Sequence, residues 1–393
     1  MLKRIYLDHA ASTPVRKEVK EAMDSFWDVN FGNPGAIHQE GVIAKDTVDQ
    51  SRDKIAGYLG AYPNEIVFNS GGTEANNLAV FGVVNRLSEE GRKFEDMHLI
   101  TTVFEHPSAL QCFKSFEKKG VKVSYLEIDS EGIVDLRQLE EILTPQTVLI
   151  SIMYVNNEIG TIQPLIEVTK IIRSFKKGQE ESSIFPVLHS DAAQALLFLP
   201  INLGKLKVDL MSFDAQKIYG PKGVGALYVR KGIEINPLII GGSQEGGLRP
   251  GTENVPLIVG FAKALELAEQ EKSSESERLT KLRDYFIKEV LEKIPGTILN
   301  GSSEKRLPNN VNISFPGKDN EFLVIQLDQR GIACSTKSAC LKEKSFYVID
   351  SLGHDEGLSK SSIRFTFGRS TNKKAIDYVI KSLVEICNPI IEI

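Results

Sequence analysis

The sequence predicts an α/β protein: a mostly parallel sheet with helices on both faces, followed by a smaller α+β unit. Three observations predict it. From residue 65 to about 230, short apolar runs alternate with amphipathic segments, the pattern of repeated strand–helix–strand crossovers. Beyond residue 256 the rhythm changes to a long helical pattern and then strand, helix, strand and helix. The chemically loaded residues cluster just past predicted strand ends, where ligands bind in open parallel sheets.

Taken in order, 65–69 reads as a strand and 73–87 as a helix. Strands are expected at 98–102, 121–128, 148–153 and 185–190, with helical patterns between them, and at 208–213 and 224–229. Residues 176–183 are polar and expected to form a solvated turn. Residues 256–270 look helical, 271–277 form a polar, Ser-rich surface segment, and the helical pattern resumes to 294. The runs 310–315, 321–329, 362–367 and 372–386 give strand, helix, strand and helix, with Thr371 or Asn372 capping the last. The expected division is a large domain over 14–256, and a small domain made of 1–13 with 257–393.

Composition bounds the function. The 393 residues are 41% hydrophobic and 25% charged, with 47 Lys and Arg against 52 Asp and Glu, for a net charge of −5. That is ordinary globular usage, and nothing in it calls for nucleic acid or a membrane surface. No apolar run is long enough to span a bilayer, and the first residues have no signal-peptide pattern, so a cytoplasmic protein is expected. The four cysteines (Cys112, Cys334, Cys340, Cys387) are scattered, without a Cys-x-x-Cys pair, which points to neither a disulfide framework nor zinc; no metal is expected.

The most telling residue is Lys217, in Asp214-Ala215-Gln216-Lys217-Ile218-Tyr219-Gly220-Pro221. It follows an apolar strand and precedes a turn, where its amine is delivered to a strand end and can form a Schiff base with a carbonyl. Ser70-Gly71-Gly72-Thr73 follows a strand and opens a helix, so it suits a phosphate, or equally a tight turn with Thr73 as cap. Asp191 and Gln194 begin at another strand end; the acid can pair with a pyridinium nitrogen, or simply cap a helix. His106 lies past a third strand and can stack on a ring and move protons, or only pack. Asn157 sits in an Asn-Asn turn and can bind a cofactor or a carboxylate, or only turn the chain. Cys340 lies in a polar stretch with Lys337, Lys342 and Lys344, and nearby positive charge favours the thiolate. Cys334 is expected to pack, and Cys112 and Cys387 to lie on helices.

The order of these features resembles fold-type I pyridoxal phosphate enzymes, and within them the class V aminotransferase group. Ser338-Ala339-Cys340, the run Ser361-Ser362-Ile363-Arg364-Phe365-Thr366-Phe367-Gly368-Arg369, the opening Tyr6-Leu7-Asp8-His9-Ala10-Ala11-Ser12-Thr13-Pro14, and then Gly32-Asn33-Pro34 and His38 make the chain similar to the NifS/IscS-like cysteine desulfurases. The resemblance runs from about Ile5 to the last helix. It implies pyridoxal 5'-phosphate as cofactor, on Lys217 as the Schiff-base lysine, under His106 as the ring-stacking and proton-moving histidine. It assigns Asp191 and Gln194 to the ring, Gly72, Thr73 and Gln216 to the phosphate, and Asn157 to cofactor and substrate. Arg364, with Arg369 as fallback, clamps the substrate carboxylate; Cys340 carries the persulfide. Thr252 is implied to reach the neighbouring subunit's phosphate, hence a homodimer.

The implied function is conversion of L-cysteine to L-alanine, with sulfur passed to an acceptor or an iron–sulfur scaffold protein for cluster assembly or tRNA thiolation. The competing expectations are another aminotransferase or a selenocysteine lyase, and a catalytically weak scaffold for sulfur-transfer partners. The chain departs from the family pattern at Asp214, usually serine, and at Gln216, usually histidine. A carboxylate repels a phosphate, so Asp214 is expected to turn away or pair with a cation, while Gln216 can still donate a hydrogen bond. The stretch after Cys340 is short and Lys-rich, which implies an acceptor that comes to the site.

Overall fold

Alternation along each strand builds the centre of the molecule. This computed structural model describes residues 4–178, 184–336, 347–353 and 357–388. After a short first strand, β1 (Ile5–Tyr6), come β2 (Ile66–Asn69), β3 (His98–Thr102), β4 (Lys122–Leu126), β5 (Thr147–Ser151), β6 (Val187–Asp191), β7 (Leu210–Asp214) and β8 (Gly225–Val229). The last seven form one sheet in the order β2-β8-β7-β6-β5-β3-β4. Pairings from β4 through β3, β5 and β6 to β7 are parallel; β8 is antiparallel to both β7 and β2. Successive residues face opposite layers: Phe68, Ile100, Ile150, Leu188 and Phe213 pack into one apolar core, Val67, Leu99, Leu149, Val187 and Leu227 into the other. Both faces are buried, as the near-continuous apolar strands require.

The last third adds β9 (Ile298–Leu299), β10 (Asn310–Ser314), β11 (Ile332–Ala333) and β12 (Ser362–Thr366). β10 pairs antiparallel with β9 and β12, and β11 runs parallel to β1. The amino-terminal strand thus joins carboxyl-terminal elements, and Asp8 bridges to Thr366.

Two readings of the sequence are corrected. The polar stretch 271–277 does not interrupt the helix, which runs unbroken from Val255 to Lys293. Its charges are satisfied on the helix surface: Glu271 takes Arg16 at 2.9 Å, Glu275 takes Arg278 at 2.6 Å and Glu277 takes Lys281 at 2.6 Å. Residues 176 and 177 are not a turn but the end of the helix Leu165–Lys177; Lys176 is partly buried, 3.7 Å from Asp209, and 179–183 lie outside the described residues. The helices Lys17–Asp24 and Gln39–Leu59 were not anticipated. Asn372 rather than Thr371 caps the last helix, Lys373–Cys387, by accepting from the Ala375 amide at 3.0 Å.

Candidate active site

The carboxyl ends of β5, β6 and β7 meet the glycine turn after β2 and Arg364 of β12 around a cleft of about 660 Å³, part of it open to solvent. Gly72, Thr73, His106, Asn157, Asp191, Gln194, Gln216, Lys217 and Arg364 all line it.

Lys217 is placed by a 3-10 turn, Ala215–Ile218, that begins where β7 stops. Tyr219 closes the turn at φ 64°, its amide 2.9 Å from the Thr13 hydroxyl, and that hydroxyl donates to the Gln216 carbonyl at 2.7 Å. The Lys217 amine donates to the carbonyls of Ala10 and Ala11 at 2.8 and 2.7 Å. Gln194 donates to the same Ala10 carbonyl at 3.0 Å.

Asp191 stands at the end of β6, 7% exposed. One oxygen accepts from Asn76 at 2.7 Å and the other from the Ala193 amide at 2.9 Å. Asn76 also donates to Ser108 Oγ at 2.8 Å, which lies 2.7 Å from His106 Nδ1. Because the Ser108 amide also donates to Nδ1, the neutral ring carries its proton on Nε2. Burial holds the His106 imidazole below its ordinary value; Asp191 pulls upward and Lys217 adds to the lowering. Asn76 and Ser108 escaped the sequence reading, though each left a trace: Asn76 lies one helical turn after Gly72, and Ser108 two residues after the histidine.

Arg364, on β12, is 1% exposed. It pairs with Asp8 at 2.8 Å and donates to the Asn157 carbonyl at 3.0 Å, while its Nε is buried with no partner among the described residues. The Asn157 loop is set by its neighbour: Asn156 donates to the Phe104 carbonyl at 3.1 Å and accepts from the Glu158 and Ile159 amides at 2.8 and 3.0 Å. Asn310 and Asn312 hold the Glu158 carbonyl from β10, at 3.4 and 3.2 Å.

Some expected residues stand apart. Thr252 lines a separate hollow with Phe68, Asn69 and Arg249. Arg369, the fallback clamp, pairs with Glu271 outside the cleft. Asp214 does not turn away, and pairs with no cation among the described residues: it lines the cleft beside the glycine turn, held by the backbone and side-chain amides of Gln216 at 3.1 Å each. Cys340 lies outside the described residues. Cys334 is partly buried and burial pushes its thiol up, which fits packing rather than reactivity.

These groups fit pyridoxal phosphate. The cleft offers a lysine amine, an acid fixed by two donors for a ring nitrogen, and bare glycines at a helix start for a phosphate. A Cβ on Gly72 would come within 3.5 Å of Asp214 and 3.9 Å of Ala193, closing part of that space. Arg364 lines the same cleft, its Nε buried without a partner among the described residues.

Comparison with known proteins agrees with this cleft. The class-V aminotransferase family matches residues 5–379. Cysteine desulfurase IscS of Dictyoglomus turgidum is 46% identical over 388 residues, covering 98% of this chain and 95% of its own. The protein of the same name from Methanosarcina thermophila is 42% identical, covering 98% of this chain and 92% of its own. Among solved structures, a NifS-like protein superposes with a TM-score of 0.89 at 38% identity, covering 98% of this chain and 99% of its own. A lysine-bearing strand end facing a fixed acid, in a sheet of this order and with relatives matched along nearly their whole length, makes the chain a member of the class-V aminotransferase family.

Proposed function

We propose that the chain is a pyridoxal-phosphate-dependent cysteine desulfurase that takes L-cysteine to L-alanine. The observation that carries the reading is the cleft itself, where the Lys217 amine, the Asp191 carboxylate and the Arg364 guanidinium face one space. The names of the full-length relatives favour desulfuration over transamination, selenocysteine cleavage or a scaffold role.

Pyridoxal phosphate, when bound, supplies an electron sink for charge developing at the substrate Cα. Lys217 would hold the cofactor and move protons at Cα. Asp191, braced by Asn76 and the Ala193 amide, would keep the ring nitrogen protonated, and Gln194 would serve the ring oxygen. His106 would serve the ring and exchange a proton through Nε2, its Nδ1 being fixed by Ser108. Gly72, Thr73 and Gln216 would take the phosphate. Arg364 and Asn157 grip the substrate carboxylate; Asp8, on another guanidinium nitrogen, holds the fork in place. The Cys340 thiolate forms a bond to the substrate sulfur as the carbon–sulfur bond breaks, which leaves a persulfide on Cys340 and, after protonation at carbon, alanine.

The direct test incubates the protein with cysteine and pyridoxal phosphate, quantifies alanine and sulfide, and maps the persulfide by mass spectrometry. Cys340→Ala is expected to lose the persulfide and at least about 100-fold in sulfur release, because burial raises the Cys112 and Cys334 thiols and keeps them from replacing the thiolate. Sulfur release at the wild-type rate from that variant would exclude Cys340 as the carrier.

The same reading includes a cytoplasmic homodimer that hands sulfur to an acceptor or iron–sulfur scaffold protein reaching the Cys340 segment, for cluster assembly or tRNA thiolation. It divides the chain into domains 14–256 and 1–13 with 257–393, supported by the β1–β11 pairing. No described helix is long and apolar enough to cross a membrane. The homodimer is supported by exposed apolar side chains: Phe31 is 69% exposed, Ile37 98% and Ile240 94%. It is supported also by Thr252 lying away from the chain's own cleft. Light scattering is expected to give twice the chain mass, and Ile37→Glu with Ile240→Glu to give the single chain; a wild-type monomer would remove Thr252 from the site.

A further inference from the structure

The strand register sets an acid against the glycine turn. On β7 Asp214 stands opposite Gly225 of β8, and Gly225 stands opposite Asn69 of β2. Gly225 has no room for a side chain: a Cβ there would lie 2.4 Å from the Phe213 carbonyl oxygen and 2.7 Å from Gly71 Cα. That bare backbone lets the turn after Asn69 drop onto the end of β7. The Asp214 carboxylate consequently faces the turn, its Oδ2 3.7 Å from where a Cβ on Gly71 would sit and 3.5 Å from one on Gly72. Asp214 is 7% exposed, so little water separates it from whatever occupies the turn.

On the cofactor reading, the phosphate goes to this turn, at the start of the eighteen-residue helix Gly72–Glu89. A phosphate dianion and a carboxylate are both acceptors only, and side by side they repel through charge and leave their lone pairs unmatched. A single proton between them turns the clash into a charge-assisted hydrogen bond. The other described charged groups around this space are engaged with partners of their own. Asp191 is taken by Asn76 and the Ala193 amide, Arg364 by Asp8, and Glu74 by the Ser70 amide and Arg249. Lys217 donates to Ala10 and Ala11; His106 accepts from Ser108 at Nδ1, its imidazole held below its ordinary value by burial; Gln216 beside Asp214 is a neutral amide.

We propose that Asp214 makes this site select the singly protonated phosphate of the cofactor, whose P–O–H donates to the Asp214 carboxylate. The proposal rests on the pyridoxal phosphate reading. A phosphate monoester loses its second proton near pH 6, so at higher pH loading takes one proton from solution. Affinity then falls about tenfold per pH unit on the alkaline side.

The test is calorimetric titration of the protein, stripped of cofactor, with pyridoxal phosphate at pH 7, 8 and 9, in buffers of different ionisation enthalpy. Wild type is expected to take up about one proton more than Asp214→Asn or Asp214→Ser, the proton Asp214 demands of the phosphate. Over the two pH units it loses about 100-fold in affinity that the variants keep. Phosphorus-31 NMR of the loaded wild type gives a second readout that needs no variant: the resonance stays at the monoanion position at pH 8. Equal proton uptake and equal pH slopes in wild type and variants, or a dianion resonance at pH 8, overturn the proposal while leaving the cofactor reading intact. Failure of wild type and both variants to bind at any pH overturns the cofactor reading and this proposal with it.

Discussion

Lys217→Ala is expected to lose the visible absorbance of the bound cofactor and to release alanine from cysteine at least about 1,000-fold more slowly than wild type, the scale of losing both a covalent anchor and a general acid–base. The fold gives this lysine no substitute. Its backbone is fixed by the turn Ala215–Ile218, by Tyr219 at positive φ and by Gly220, where a Cβ would lie 2.7 Å from the Ala215 carbonyl oxygen. Its amine sits between two carbonyls of the Ala10–Ala11 segment, which hold it over the cleft. Arginine at 217 is not expected to rescue: it stays charged at any working pH and is no amine nucleophile. Small exogenous amines are expected to restore a fraction of the rate, because the cavity left by the side chain opens on the cleft. Absorbance spectra and single-turnover alanine release check both points. A Lys217→Ala protein that keeps its colour and its rate would move the anchor elsewhere.

Much of this site was legible in the sequence because its logic is local. A parallel sheet offers residues at strand ends, so Lys217 after β7, Asp191 at the end of β6 and Gly72 after β2 could be read from apolar runs and the turns that follow. What the sequence hid is long-range. Asp8 and Arg364 are 356 residues apart and meet because β1 joins β11 beside β12. Asn310 and Asn312 reach the Glu158 carbonyl across more than 150 positions, and no spacing rule predicts that. Asp214 was noticed as an odd residue, but only the register through Gly225 explains why it faces the turn. The 271–277 stretch misled for another reason: serines and acids weaken a helix alone, whereas here Leu279 and Phe286 on the same helix are fully buried and carry it.

Raising the pH from 6.5 to 8 is expected to cost wild type about 2 kcal/mol of unfolding free energy relative to Glu105→Gln. Glu105 is fully buried beside His106. One carboxyl oxygen accepts from Thr102 Oγ1 and from the Met153 amide, each at 2.8 Å. The other is buried without a partner among the described residues. Burial first, and then the Asp191 charge, push the carboxyl up to about 8 against the lowering effect of its two donors. The folded chain therefore keeps this proton between about 4.5 and 8 while the unfolded chain gives it up, so stability falls as pH rises through that window. The buried histidines His9, His98 and His189, all lowered to about 4 by burial, weaken the fold as pH drops through about 6.5, so between 8 and 6.5 they act in the opposite sense, and equally in wild type and Glu105→Gln. The difference between the two proteins over that window thus belongs to Glu105. Glutamine copies the neutral acid, offering an acceptor to Thr102 and Met153, and has nothing to ionise. Alanine leaves those donors unmet and is expected to cost about 2–4 kcal/mol at every pH. Urea unfolding at the two pH values distinguishes the cases, and the same pH dependence in wild type and Glu105→Gln would rule Glu105 out. Thr102, Glu105 and Met153 tie the end of β3 to the residue after β5 that lines the cleft. The two donors favour the ionised form, so the tie beneath His106 survives at alkaline pH and the cost there is that of the buried charge itself.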